Sequence, residues 1–498
     1  MMHRSFFPTL MFRLIGALLL TLSVMTPVQA REWQRAELPG VVLYSDGYPH
    51  ELQRWALKLQ LFDALLRKQS GVAASDAQSG SPLTIYLLDE GKDIERLTGR
   101  ENLNGFYSPS SEGSFLLASR APAYHKDRMS GQISLFHEYT HHFMYRHFAS
   151  AWPAWYREGF AEYASAITFD VDRTARLGLP NWPRLEHIDR APMPIEQILK
   201  ASVDEFKPDD KARFYAWSWQ LVHLLMSSPE DRSRLDRYLS LYSSGLDPIV
   251  AARAAFGDLS GLQGRMLSHA ADPRGSAVIP VDIGNNAEVP VTALSPEDSR
   301  LIDVRLMRIA GGDQKAALKA VQAFVTAYPS NPQGRLELAL ALKDSNPSEA
   351  RTSALTAMSL APGDARALAI WSEIAFRQLK SNPASMPEDW DKIRSQLVAA
   401  IGPDTRDPMV LSSLFRSYLA EPRKPTAQAV AAMDEALTLQ PESYELRSLG
   451  VYSFALQGRD RDAQRTARIL ASDPHSGSLG TRALEVLERI EQRRVRAN

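Results

Sequence analysis

Two histidines four residues apart, with a glutamate directly after the first, constrain this chain more than any other feature: His137-Glu138-Tyr139-Thr140-His141. For the two imidazoles to act together they need a helix, where positions i and i+4 are neighbours on one face. The flanking residues supply one. Leu135, Phe136, Tyr139 and Phe143 fall on roughly the opposite face and can seat the helix in a core. Glu138 is turned to the edge of the histidine face, where its carboxylate can reach a metal-held water without taking a coordination position.

A catalytic zinc takes three protein ligands and keeps a fourth position open. Two histidines therefore need a further donor. The chain has no cysteine, which removes thiolate sites, disulfides, cysteine nucleophiles and a lipid-modified N-terminal cysteine. Seventeen residues past His141 stands Glu158, within Trp155-Tyr156-Arg157-Glu158-Gly159-Phe160-Ala161-Glu162-Tyr163. Pro153 suits the first turn of a second helix. Glu158 and Glu162 then share a face, so one carboxylate can bind metal while the other holds a histidine N–H and fixes its tautomer. Gly159 leaves room for the two helices to approach closely.

HEYTH followed by WYREGFAEY resembles the gluzincin metallopeptidases, specifically their peptidase MA-like members, whose pattern is HExxH, a short gap, then W-x-x-E-G-x-A-E-Y. The resemblance covers residues 31–271, and its sharp part runs from Phe136 to Ser165. It implies an α+β zincin-like metallopeptidase domain. It also implies one zinc per chain on His137, His141 and Glu158, with Glu138 as general base and Glu162 as the supporting carboxylate. The aminopeptidase branch has Asn before the ligand Glu, where this chain has Arg157, and carries a G-x-M-E-N strand that is absent here. An aminopeptidase is therefore disfavoured. The family stabilises the oxyanion with a Tyr or His from a later segment; Tyr215, in Phe214-Tyr215-Ala216-Trp217-Ser218, is the candidate, and His187 a second choice. His142 and His147 leave the ligand face, and His223 in its apolar setting (WQLVHLL) reads as a core histidine.

At 498 residues the chain is too long for one ordinary core. With 44% hydrophobic and 23% charged residues it is globular, and a net charge of −1 offers no footprint for nucleic acid or anionic lipid. Residues 1–30 have the layout of a signal peptide: Arg4 and Arg13, an apolar run from Leu14 to Val24, then Val28-Gln29-Ala30 as a small-x-small cleavage site. That run is too short to span a bilayer comfortably. The expectation is export to the periplasm or medium, without stable membrane insertion after cleavage.

Within 31–271, strands are expected at Gly40–Ser45, Leu83–Leu88 and around Phe106–Ser119, with a helix over Glu51–Lys68. Residues 272–299, rich in Pro, Gly, Asn and Val, read as a linker between separate cores. Residues 300–498 read as all-α. Pro329 and Pro362 lie 33 residues apart, as do Pro441 and Pro474, each following an apolar helix end, with Pro403 between the pairs. The interval resembles tetratricopeptide repeats (TPR) with degenerate units. Small or apolar pairs at Ala354/Met358, Ala432/Ala436 and Ala463/Ala467 mark close helix crossings.

These features lead to an exported zinc peptidase acting on protein or peptide substrates, with repeats that position a substrate or protein partner. The gluzincin resemblance also implies that the strand near Phe106 to Leu117 pairs with an extended peptide as an edge strand does. Two other readings stay open: a scaffold of peptidase fold with weak or no activity that binds partners through its repeats, and a hydrolase of non-peptide amides.

Overall fold

The computed structural model describes residues 31–73, 80–122, 129–170, 173–188, 192–202, 206–271, 276–283, 289–421, 423–473 and 476–497. The expected signal peptide lies outside them, as does Pro474. The chain opens with β1 (Gln34–Leu38), β2 (Val41–Ser45), α1 (Pro49–Ser70), β3 (Leu83–Leu88), α2 (Gly91–Thr98), β4 (Gly105–Ser108) and β5 (Phe115–Ser119). Then come α3 (Gly131–His147), α4 (Ala154–Ser165), β6 (Thr168–Phe169), β7 (Thr174–Leu177), α5 (Trp182–Ile188), α6 (Ile195–Lys200) and α7 (Pro208–Met226). They are followed by α8 (Pro229–Ser243), α9 (Pro248–Phe256), α10 (Leu259–Ala271), β8 (Ala277–Pro280) and β9 (Val291–Ala293).

Six strands form a mixed sheet in the order β4-β5-β3-β2-β1-β9. β2, β3 and β5 run parallel at its centre, and β4 returns antiparallel on β5 as an edge. Central parallel strands are covered on both faces. Leu43, Ile85, Leu87, Leu116 and Ala118 face the core that holds α1 and α3. Tyr86, Leu88, Phe115 and Leu117 face the other way, against Trp33 and Ile94.

The helical part consists of α11 (Pro296–Ile309), α12 (Gln314–Ala327), α13 (Pro332–Leu342), α14 (Pro347–Leu360), α15 (Ala365–Ser381) and α16 (Pro387–Ala400), then α17 (Pro408–Ala420), α18 (Ala427–Leu439), α19 (Tyr444–Leu456), α20 (Asp460–Ala471) and α21 (Ser478–Ala497). Each helix packs on the next, and α11, α13, α15 and α17 also pack in series, the arrangement of stacked helical hairpins. Pro329, Pro362, Pro403 and Pro441 all fall in the turns that end one hairpin and begin the next. Side-chain caps set many of the starts: Asp313, Asn331, Asp364, Asp407 and Ser443 accept from the first-turn amides of α12, α13, α15, α17 and α19. Ala354, Ala432, Ala436, Ala463 and Ala467 are buried where the helices cross.

The linker expected over 272–299 is corrected in two ways. β8 pairs with β7, and β9 pairs with β1 to close one edge of the main sheet. Moreover, α11 belongs to both parts of the chain: its Ile302 and Leu306, with Ala310 just past its end, share a buried cluster with Trp33, Tyr86, Phe115 and Leu117. Each part keeps a large hydrophobic cluster of its own, and this third cluster joins the two. Val-rich segments this short carry no periodicity that separates an edge strand from a loop. β1 was likewise absent from the sequence expectation.

Candidate metal centre

α3 begins where β5 ends. Ser130 caps it, its hydroxyl accepting from the Ile133 amide at 3.2 Å. Gly131 lies so close to the Ser119 carbonyl that no side chain fits there. Leu135, Phe136, Tyr139 and Phe143 are buried, with Phe136 stacked on Phe62 of α1 at 4.0 Å between centroids. This seats α3 with His137 and His141 facing α4.

α4 follows with Pro153 at its N-cap. Gly159 does not serve the α3–α4 contact expected of it. It faces α7, where an added Cβ would run into the Ser218 carbonyl and Val222. The close approach of α4 to α7 leaves Glu158 and Glu162 on the side facing α3, buried at 2% and 0% exposure.

The three expected ligands converge. His137 Nε2 and His141 Nε2 are 3.1 Å apart, and Glu158 Oε2 is 3.5 Å from the first and 3.4 Å from the second. Donors about 2.1 Å from a tetrahedral zinc lie roughly 3.4 Å from one another. The triangle has the size of one face of such a site. Among the described residues these three are the group of histidines and acids able to share a metal ion. Glu158 Oε1 and both histidine Nδ1 atoms are buried without a hydrogen-bond partner. Burial lowers the proton affinity of His137, but the carboxylates of Glu162, Glu158 and Glu138 outweigh it and carry its pKa up to about 9. Electron-rich atoms facing one another at this range call for a cation, either a proton or a metal. The residues present fit zinc.

Glu162 is held behind these three side chains. Its Oε1 lies 3.3 Å from His137 Nδ1, off the line of a hydrogen bond, and accepts from Arg184 Nη2 at 2.5 Å. Its Oε2 accepts from Asn181 Nδ2 at 2.8 Å. Arg184 and Asn181 were not among the candidates. A buried carboxylate implies a partner, but nothing in the sequence says which Arg supplies it.

Glu138 is half-buried and lies beside Gly105 of the edge strand β4, against which its Cγ packs. The Tyr215 ring, on α7, is 6.4 Å from the His137 ring and lies under the Arg184 guanidinium at 5.3 Å. Burial and then the Glu158 charge push its phenol well above the usual range, so it is a neutral O–H donor at the margin of the site. His187 is on α5 with Nε2 3.3 Å from Glu186. His142 is buried and its Nδ1 is 3.2 Å from the Tyr107 hydroxyl of β4, while His147 Nε2 is 3.2 Å from Arg67. Neither belongs to the group formed by His137, His141 and Glu158. His223 is a core histidine, bonded to His269 and to the Gly178 carbonyl.

Arg157, the departure from the aminopeptidase pattern, has a structural partner far along the chain. Buried beside Glu158, it donates to the Ser472 carbonyl at 3.2 Å and approaches Asp473 at 3.8 Å. The end of α20 thus touches the residue adjacent to a metal-ligand candidate.

No family model matches the chain, and no curated protein sequence matches it. Among solved structures, it is similar to a thermophilic TPR protein of Thermus thermophilus, at 20% identity and a TM-score of 0.32, covering 38% of this chain and 98% of that one. It is also similar to MamA, at 18% identity and a TM-score of 0.26, covering 36% of this chain and 93% of that one. The helical repeats of this chain rest on their own helix pairs and spacing.

Proposed function

We propose that the chain is an exported zinc-dependent metallopeptidase of the gluzincin kind. The observation that carries the reading is the triangle of His137, His141 and Glu158, with donor separations of 3.1–3.5 Å matching one face of a tetrahedral zinc site. Zinc bound there supplies a Lewis acid that polarises a carbonyl and acidifies water.

The remaining work falls to side chains. Glu138, beside the ligands without joining them, takes a proton from the attacking water and returns it to the leaving amine. Glu162, fixed by Arg184 and Asn181, orients His137. Tyr215 keeps its proton and can donate to a developing oxyanion. Among the described residues β4 has a strand partner on one side only, so an extended peptide can add to it next to Glu138. Export rests on residues 1–30.

A second reading is a peptidase-fold scaffold that acts by protein–protein contact. The helical repeats, which fill most of the chain after Pro296, favour it. Glu138→Gln separates the two, because it keeps the size and removes the proton acceptor. Zinc content should stay at one per chain, while cleavage of a mixed peptide pool should fall at least about a hundredfold. A wild type that binds zinc and cleaves nothing supports the scaffold. Equal cleavage by both proteins refutes the role of Glu138.

A further inference from the structure

We infer that the helical repeats act as a positioning clamp on the edge strand beside the metal centre, gripping the chain's own β4–β5 hairpin through Glu112 at its tip. The tip, residues 109–114, is contacted by one repeat after another. From α11, Arg308 Nη1 donates to Glu112 Oε2 at 2.9 Å, and past the end of α13, Lys343 Nζ lies 3.5 Å from Oε1. Arg366 of α15 donates to the Glu112 carbonyl. Arg416 of α17 donates to the Ser111 hydroxyl at 3.3 Å. In the turn after α18, Gln440 donates to the Ser110 carbonyl at 2.5 Å, and Glu442 accepts from the Ser114 hydroxyl at 3.1 Å.

This is how a repeat surface holds a peptide loop, with backbone carbonyls and one carboxylate met by donors from successive units. Here the bound loop belongs to the same chain. Its other end reaches the metal centre, where Gly105 abuts Glu138; nearer the tip, the Tyr107 hydroxyl meets His142 of α3. β4 is thus anchored at its base by α3 and at its tip by the repeats. A strand four residues long cannot hold its tip in place on ladder bonds to a single neighbour. The repeats therefore set the position of the edge on which, under the proposed peptidase reading, a substrate chain would lie. Glu112 and Arg366 are positioning residues, remote from the ligands.

Full-length Glu112→Gln and Arg366→Ala test this by hydrogen exchange, zinc content and kinetics on an extended peptide. Amides of β4 and β5 should exchange about tenfold faster in both variants, as expected from losing a charge-assisted bond. Protection of α3 and α4 and the zinc content should match wild type. KM for the extended peptide should rise several-fold, with kcat within about twofold. Unchanged exchange in the hairpin overturns the clamp, as does an equal loss of protection over the whole chain. If wild type cleaves no peptide, the peptidase reading fails alone, because the exchange measurement still decides the clamp.

Discussion

Glu158 and Glu162 divide two tasks between two identical side chains. Glu158 turns an oxygen toward both histidine Nε2 atoms, whereas Glu162 is saturated by Arg184 and Asn181. Their substitutions should differ accordingly. Glu158→Ala removes a proposed ligand and should abolish stoichiometric zinc, as read by metal analysis after dialysis. Full occupancy in that variant would place the third ligand elsewhere. Glu162→Gln keeps the volume but weakens the charge that orients His137, and should loosen zinc by about 10–100-fold in competition with a chelator. Both glutamates were legible from their spacing on one helix face, because helical periodicity is local. Arg184 was not, since the pairing that neutralises Glu162 depends on where α5 packs.

At the scale of elements, two junctions carry clear energetic consequences. α4 approaches α7 through Gly159, and Gly159→Ala should cost about 1–3 kcal/mol by forcing those helices apart. Tm and zinc affinity should fall together, because the same helix carries Glu158; an unchanged Tm would mean that α7 yields freely. The second junction joins α11 to α13, where Glu337 accepts from Arg305 and Arg308, each at 2.6 Å. Burial raises the Glu337 pKa, but the two guanidinium groups overcome this and hold it at about 2. A depressed carboxylate stabilises the fold fully above its unfolded value, about 4.3. That contribution fades as pH falls toward 2. The Tm gap between wild type and Glu337→Gln should thus be full at pH 6 and narrow steadily below about pH 4. A constant gap would show that the charge of Glu337 is not what matters.

At the scale of the molecule, the repeats and the sheet are one structure. Ile302 and Leu306 bury against Trp33, Tyr86 and Phe115, each such side chain contributing about 1.5–3 kcal/mol. Deleting everything after Ser295 should therefore expose one face of the sheet and release the β4–β5 hairpin. The shortened chain should aggregate or melt far below the full protein, and light scattering with a thermal melt would show it. A soluble, zinc-loaded fragment with an undiminished Tm would show that the first part folds independently of the repeats, as the sequence suggests.

The sequence by itself determined the parts whose information is periodic or local. These are the helix carrying His137 and His141, the pairing of Glu158 with Glu162, the strand Leu83–Leu88, and the hairpins punctuated by Pro329 to Pro441. Tertiary structure decided whatever depends on two distant segments meeting. It brought the three donor atoms into one triangle, selected Arg184 for Glu162, and turned Gly159 toward α7. It also drew residues 277–280 and 291–293 into the sheets and folded the repeats back onto the hairpin. Such meetings are set by long-range packing, in which a short Val-rich strand or a solvated-looking Glu112 gains its role only from the surface opposite it.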